Sequence, residues 1–406
     1  MMKQIFTIIM LIIGFSQVSA QWYQVNTNTS ENLYDIFFLD SLEGYCVGGS
    51  DYWGTPQSTG VILKTTDGGE NWSTIFSKDS LTIRNIAIVE ETGNKKLYAF
   101  GAISGVSYLV STFINTPLQN WTVIPVGYKP RETKVYNNSI YFVDELDNKL
   151  KLLNSNIASV LISNVTYFDV SSHGIICLDM FNFQVLNSFD YGVTWDIFPT
   201  FPTTYQSSNS GYGSIKYTTD GLIVLKGTYP GIVVHTSDYG LNWTTNYNAP
   251  EFGSIILNTG LIIGITNLNE LVFSSDFGAN WNPIDTFNGE KDGARVKFVN
   301  GNSGFLIGKD GLMYKGIIDS ATVGINNLDI KKKINIYPNP AKDVLQIDVS
   351  NSIEIENIEL FDISGKKAKT YSSNDRNLNI SGLSAGTYFL RVSTTEGGVT
   401  KKVIIE

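Results

Sequence analysis

Four copies of one eight-residue pattern, Ser/Thr-x-Asp-x-Gly-x-x-Trp, constrain the fold of this 406-residue chain more than any other feature. They occupy 65–72 (TTDGGENW), 188–195 (SFDYGVTW), 236–243 (TSDYGLNW) and 274–281 (SSDFGANW). Each follows a strand-like apolar run such as VILK or IVVH and precedes another such as STIF. The local reading is strand, tight turn, strand. An Asp carboxylate can accept backbone N–H bonds in a turn, Gly supplies a permissive dihedral, and Trp covers the hairpin. The pattern residues are therefore expected to be structural. They are Thr65, Asp67, Gly69 and Trp72; Ser188, Asp190, Gly192 and Trp195; Thr236, Asp238, Gly240 and Trp243; and Ser274, Asp276, Gly278 and Trp281.

The positions equivalent to Thr65 are Ser111, Asn154, Ser188, Thr236, Ser274 and Gly316, spaced by about 42 residues on average. Three of these repeats have lost the box. Upstream of each lie two more strand-like runs, for example YDIFFLD and GYCVGG before the first box, or RVKFVNG and GFLIGK in the seventh repeat. Four strands per ~42-residue repeat is the signature of propeller blades, and seven repeats imply seven blades. The seventh repeat ends near Ile318 without a fourth strand, while Trp22 to Val25 resembles the segment after the first box. Trp22–Val25 is expected to close the ring by pairing with 312–317, hiding edges that would otherwise invite aggregation.

The box resembles the Asp-box (BNR) repeat of sialidases, sortilin-type receptors, xyloglucanases and photosystem II assembly-factor-like propellers. The stretch from Cys46 to Trp72, VGG…GVILKTTDGGENW, looks most like the last group. The resemblance spans most of 21–318 and implies a propeller whose boxes sit on outer hairpins, away from a central ligand site. It says little about activity, since unrelated functions share such repeats.

Beyond Ile318 a polar stretch, 319–334, reads as a linker, and 335–406 has a different character. Residues 21–330 hold 17 basic and 29 acidic side chains, while 331–406 hold 11 and 9. Short alternating runs in this tail, such as VLQIDV, TYFLRVS and KKVIIE, suggest a small Ig-like antiparallel sandwich. Its motifs are Tyr337-Pro338-Asn339-Pro340, then LFDISGK with Gly365 and Lys366, then LSAGTYFLRV and a terminal KKVII. Their order is similar to the type A C-terminal sorting domain of the type IX (Por) secretion system of Bacteroidetes. That resemblance implies export across the outer membrane, with the secretion machinery as a partner. Residues 1–20 fit the same destination. One Lys precedes an apolar run and Val18-Ser19-Ala20 has the form of a signal-peptidase site. The sequence therefore predicts an all-β chain. It comprises a signal peptide (1–20), a seven-bladed β-propeller (21–318), a linker (319–334) and a β-sandwich sorting domain (335–406). The mature chain is expected to be secreted or displayed at the cell surface, with no transmembrane segment.

The chemical inventory is thin. The acidic balance of the repeat region argues against nucleic acid. Two cysteines, Cys46 and Cys177, both fall on second strands of distant repeats, which makes a disulfide geometrically improbable. His173 and His235 lie in separate repeats without metal-like spacing, so no metal or cofactor is expected, and no catalytic residue is assigned. The repeat region has three arginines, Arg84, Arg131 and Arg295, the number a sialidase devotes to its substrate carboxylate. The Arg-Ile-Pro-like motif of that family is absent. Other glycosidases need two facing carboxylates. Asp35, Asp40, Glu90, Asp144, Asp169 and Asp179 are available, but sequence does not say which face each other.

Aligning the repeats places Tyr34, Arg84, Thr133, Thr166, Gly213, Gly253 and Arg295 just before the innermost strand cores. Blades seven, one and two are consecutive around a ring, so Arg295, Tyr34 and Arg84 would meet near the channel as an anion- or carboxylate-binding patch. The alternative is that these arginines pair with nearby acids such as Asp35. Two function classes follow: a non-catalytic module that binds a protein or glycan ligand, and a secreted glycoside hydrolase. The inventory favours the first.

Overall fold

The computed structural model describes residues 22–50, 59–114, 120–179, 181–182, 184–198, 212–217, 223–228, 231–236, 240, 242–247, 250, 252–256, 261–266, 268, 270–287, 295–300, 303–317, 334–349, 354–362, 366–394 and 397–406. Residues 1–20, expected as a signal peptide, residues 319–333 of the expected linker 319–334, Asp238 and Gly365 lie outside them.

The described chain before residue 318 forms four-stranded antiparallel sheets, one per repeat. The first sheet runs Asn32–Phe38, Gly44–Gly49, Thr59–Thr65 and Ser73–Asp79. The second to sixth begin with Thr82–Glu91, Pro130–Tyr136, Tyr167–Ser171, Tyr212–Tyr217 and Phe252–Ile256, each followed by three strands in meander order. The seventh contains Arg295–Asn300, Ser303–Ile307 and Met313–Ile317, and its fourth strand is Tyr23–Gln24. Tyr23 pairs with Lys315 and Gln24 with Tyr314, the closure expected from the chain ends. The first strands touch in sequence order around a cycle, and Arg295–Asn300 returns to Asn32–Phe38. Burial follows from this. Second strands such as Gly44–Gly49 and Gly174–Asp179 are buried throughout, because sheets cover both of their faces.

The boxes join neighbouring sheets as well as turning the chain. The Thr65 hydroxyl accepts the Gly69 N–H at 2.9 Å and donates to Asp67 Oδ1 at 2.8 Å. Asp67 in turn accepts the N–H groups of Glu70 and Asn71 and the Asn71 side-chain amide. Ser188–Asp190 and Ser274–Asp276 repeat the hydroxyl–carboxylate bond at 2.8 Å. Each box glycine has a positive φ, 92° at Gly69 and 105° at Gly192, for example. A Cβ there would also strike the preceding sheet: Phe305 at 2.6 Å from Gly69, Leu161 at 3.1 Å from Gly192, Phe198 at 2.4 Å from Gly240 and Val233 at 2.7 Å from Gly278. Glycine is needed twice over, for its dihedral and for the closeness of the next sheet. In two boxes the residue before it also reaches across. Tyr191 stacks on Tyr136 at 5.6 Å and Phe277 on His235 at 4.4 Å, each from a left-handed backbone.

The tail folds as a three-stranded sheet (Ile334–Tyr337, Val344–Val349, Asn377–Asn379) and a four-stranded sheet (Lys367–Tyr371, Ile355–Asp362, Gly386–Thr394, Gly397–Ile405). Both contribute to one core that includes Leu345, Ile347, Ile358, Leu360, Leu378, Leu390, Val392 and Val403. Asn339 stitches its turn to the last strand, donating to the Lys402 carbonyl at 2.9 Å and accepting the Ile404 N–H at 2.8 Å. Neighbouring Tyr337 is half exposed, and the Lys366 N–H donates to Asp362 Oδ1 at 3.0 Å.

Candidate functional site

The site is built by β-bulges. The register between the first two strands of the first sheet shifts between Leu33 and Asp35, leaving Tyr34 as the extra residue. In the second sheet the shift lies between Ile83 and Asn85, leaving Arg84. In the third it lies between Pro130 and Glu132, leaving Arg131. A bulged residue leaves the pairing ladder and its side chain is re-aimed. Arg295 arrives at the same place from the first residue of its strand, opposite Ile307.

These residues converge. The Tyr34 ring, 6% exposed, has the Arg84 guanidinium 5.0 Å and the Arg295 guanidinium 5.9 Å from its centroid. Arg295 also donates to the Tyr34 carbonyl at 3.2 Å. The ring quadrupole attracts both cations, which repel each other. Beside them opens a cleft of about 140 Å³ whose lining includes Arg84, Arg131, Arg295, Lys129, Glu145 and Asn85. That volume equals a handful of waters. Arg131 is oriented by the Thr166 carbonyl at 3.3 Å and Asn148 Oδ1 at 3.1 Å. Lys129 pairs with Glu145 at 2.7 Å. Among the described lining residues four cations thus face one carboxylate, in a region whose overall balance is strongly acidic.

Tyr34, Arg84 and Arg295 are brought together as the alignment placed them. Thr133 is a correction: the bulge sits two residues earlier, and Arg131 occupies that position. Sequence alignment on the apolar run KVY could not see a register shift decided by the partner strand. Lys129 was likewise missed, although Lys129-Pro130-Arg131 is a basic pair around a strand-opening proline. Asp35 is engaged elsewhere. It accepts the N–H groups of Ile36 and Ile86 and pairs with Lys297 at 3.1 Å.

The other candidate acids have local tasks. Asp169 lies between Lys134 at 2.9 Å and Lys216 at 3.3 Å, Asp144 holds Lys151 at 2.5 Å, and Asp179 caps the turn at Phe181 and Asn182. Asp40 accepts the N–H groups of Glu43 and Leu42, which lower its carboxyl below the usual range. Glu90 is tied to the Asn138 side chain only through its backbone N–H and carbonyl, so this pairing does not engage its carboxylate. Cys46 and Cys177 are free and buried, and burial pushes both thiols well up. His235 is pushed down to about 4 by burial, whereas His173 contacts Ser172 at 3.2 Å. Among the described residues no cluster of His, Cys, Asp or Glu could hold a metal ion, and no helix is long and apolar enough to cross a membrane.

Residues 335–406 match the family model described as a secretion system C-terminal sorting domain. No curated protein sequence matches the chain. Solved structures share the β-propeller fold. The structure titled YCF48 bound to D1 peptide is 16% identical, covering 73% of this chain and 97% of its own, with a TM-score of 0.52. YCF48 from Cyanidioschyzon merolae is also 16% identical, covering 74% and 99% at 0.52. A virginiamycin B lyase from Staphylococcus aureus is 9% identical, covering 74% and 99% at 0.53. At these identities the likeness concerns the fold alone.

Proposed function

We propose that the chain is a secreted or surface-displayed binding protein whose cleft takes an acidic group, a carboxylate above all, on a protein or glycan. The observation that carries this reading is the convergence of Arg84, Arg131 and Arg295, all the arginines between residues 21 and 330, on one cleft. Arginine is the side chain suited to planar, two-point recognition of carboxylates. A net-acidic surface would repel most anionic ligands, so a local cationic cleft selects those able to reach it. A structure of the same fold is titled as bound to a peptide, which places acidic peptides beside glycans among the ligands to test. The hydrolase alternative needs two opposed carboxylates, and Glu145, held by Lys129, is the one carboxylate among the cleft's described lining residues.

Each four-stranded sheet is read as one blade of a seven-bladed propeller, and the four boxes as Asp-box (BNR) repeats. The tail match supports export by the type IX secretion machinery, with 1–20 removed as a signal peptide and 335–406 as the sorting domain; the linker expected at 319–334 gives up Ile334, which opens the tail's first strand. A periplasmic reporter fused to 320–406 should leave a type IX-competent cell; retention would refute the sorting role.

The binding reading is tested on an array of acidic and neutral peptides and glycans. The wild-type protein should retain acidic members, with binding that weakens as salt rises. Arg84→Ala with Arg295→Ala should weaken that binding by about tenfold or more at unchanged circular dichroism, the scale of one lost charge-assisted hydrogen bond. Equal binding by the double variant would overturn the assignment.

A further inference from the structure

One contact joins the tail to the propeller and is used neither by the cleft nor by the tail's own core. On the strand Gly386–Thr394, Tyr388, Leu390 and Val392 point into the tail core. Phe389 alternates to the opposite face. It is nevertheless 2% exposed, because it packs in a cluster with Ile176, Leu178, Val185, Ile215, Ile232 and Val234 of the fourth and fifth sheets. Phe361 and Lys402 are the cross-strand partners of Phe389 on either side, so the three form a row across that outer face. Their counterpart is Phe189. Its ring lies 6.3 Å from Phe389, and the Lys402 ammonium sits 4.2 Å from its centroid.

Phe189 is the second residue of the fourth sheet's box, where the other three boxes carry Thr66, Ser237 and Ser275. A hydroxyl residue suits a solvated hairpin tip. A phenylalanine there gains nothing from the hairpin itself and is explained by what covers it. Lys402 fits the same account, since burial lowers its pKa and the aromatic face offsets part of the lost hydration.

The geometry points to a built intramolecular interface: the face carrying Phe361, Phe389 and Lys402 docks the sorting domain onto the Phe189 hairpin and holds it in one orientation on the folded propeller. The partner of this surface is the propeller of the same chain, recognised by aromatic stacking and a cation over an aromatic face. The folded precursor therefore travels as one body, and separating the tail uncovers Phe189 and its apolar neighbours. This inference is independent of what the cleft binds.

The test uses residues 21–406 with Phe189→Ser, which installs the side chain of two other boxes and so preserves the hairpin, and separately with Phe389→Ser. Small-angle scattering should give one compact particle for the wild type and a larger, two-body particle for each variant. Cleavage between 318 and 333 by a non-specific protease should accelerate at least tenfold in both. Two-body scattering from the wild type, or a Phe189→Ser variant identical to it in both measurements, would overturn the docking. If Phe389→Ser unfolds the tail, Phe189→Ser alone decides.

Discussion

Replacing Trp22 by alanine tests how the ring of sheets is closed. Trp22 precedes the short strand Tyr23–Gln24 and is 8% exposed. Its indole packs edge-on to Phe298 at 6.3 Å and joins a cluster with Ile263, Leu271, Val296, Leu306 and Tyr314. Glycines make room for it: a Cβ on Gly316 would lie 2.4 Å from the indole, and one on Gly304 would lie 2.8 Å from it. An aromatic side chain of this kind buries about 150–250 Å². At about 25 cal/mol per Å² that is a ceiling of ~4–6 kcal/mol. Measured aromatic-to-alanine losses of about 3–5 kcal/mol agree. In urea, followed by circular dichroism, Trp22→Ala should lower the unfolding midpoint by that free energy divided by the slope, with little change in the slope itself. Gly316→Ala should by itself cost about 1–3 kcal/mol through overpacking. Combined, the two should cost clearly less than their sum, because the space left by the indole accepts the new methyl. A loss below about 1 kcal/mol for Trp22→Ala, or strict additivity, would refute closure through this side chain.

Three other perturbations follow from the same geometry. Asp169→Asn removes the buried carboxylate shared by Lys134 and Lys216, Lys134 keeping Glu132 at 3.3 Å, and about 3 kcal/mol of stability should be lost in chemical denaturation; a loss under 1 kcal/mol would show that the bridge is dispensable. His235 titrates near 4 when folded against an ordinary 6.5, because burial disfavours its charged form. The unfolded chain then binds the proton first, so stability is complete above pH 6.5 and falls toward pH 4, by at most about 3 kcal/mol. His235→Phe should flatten that slope, and an unchanged slope would exclude this histidine as its source. Asp67 is held down to about 2 by the Asn71 N–H and side-chain amide and the Thr65 hydroxyl. In Asp190 the Thr194 and Ser188 hydrogen bonds outweigh burial and bring it to about 2. Depressed carboxyls contribute stability above their unfolded pKa and lose it as pH falls through about 2. Asp67→Asn and Asp190→Asn should therefore leave the curve between pH 4 and 6 parallel to wild type.

What the sequence disclosed follows from how local each feature is. A box hairpin is specified within eight residues, so Thr65, Asp67, Gly69 and Trp72 could be read without a neighbour. Closure was legible because Trp22 stands outside any repeat of its own. The inner-strand bulges were not, since register belongs to a pair of strands and Arg131 looks like an ordinary residue of PRETKVY until Asp144 and Val143 fix what faces it. Phe189 was visible as an exception among the four boxes, but the exception had no meaning before Phe389 was seen to cover it.

The bulges also explain how an acidic ring acquires a cationic cleft at little cost to the fold. A residue outside the pairing ladder is released from the in–out alternation that fixes its neighbours, so its side chain can change without moving the core. Around the ring these positions are Tyr34, Arg84, Arg131, a register break that includes Gly213 in the fifth sheet, and one spanning Gly253 in the sixth. The seventh sheet adds Arg295 at its strand start. The cations therefore cluster on the seventh, second and third sheets about Tyr34 of the first, while the fifth and sixth sheets carry glycine. An even ring of charge would repel itself and recognise nothing in particular. Concentrated on one side, the arginines define a direction of approach. Exchanging Gly213 for Arg should consequently leave the cleft's affinity for an acidic peptide unchanged, whereas Arg131→Gly should reduce it without lowering the unfolding midpoint. A gain of affinity in Gly213→Arg as large as the loss in Arg131→Gly would mean that the field of the ring as a whole, and not the cleft, attracts the ligand.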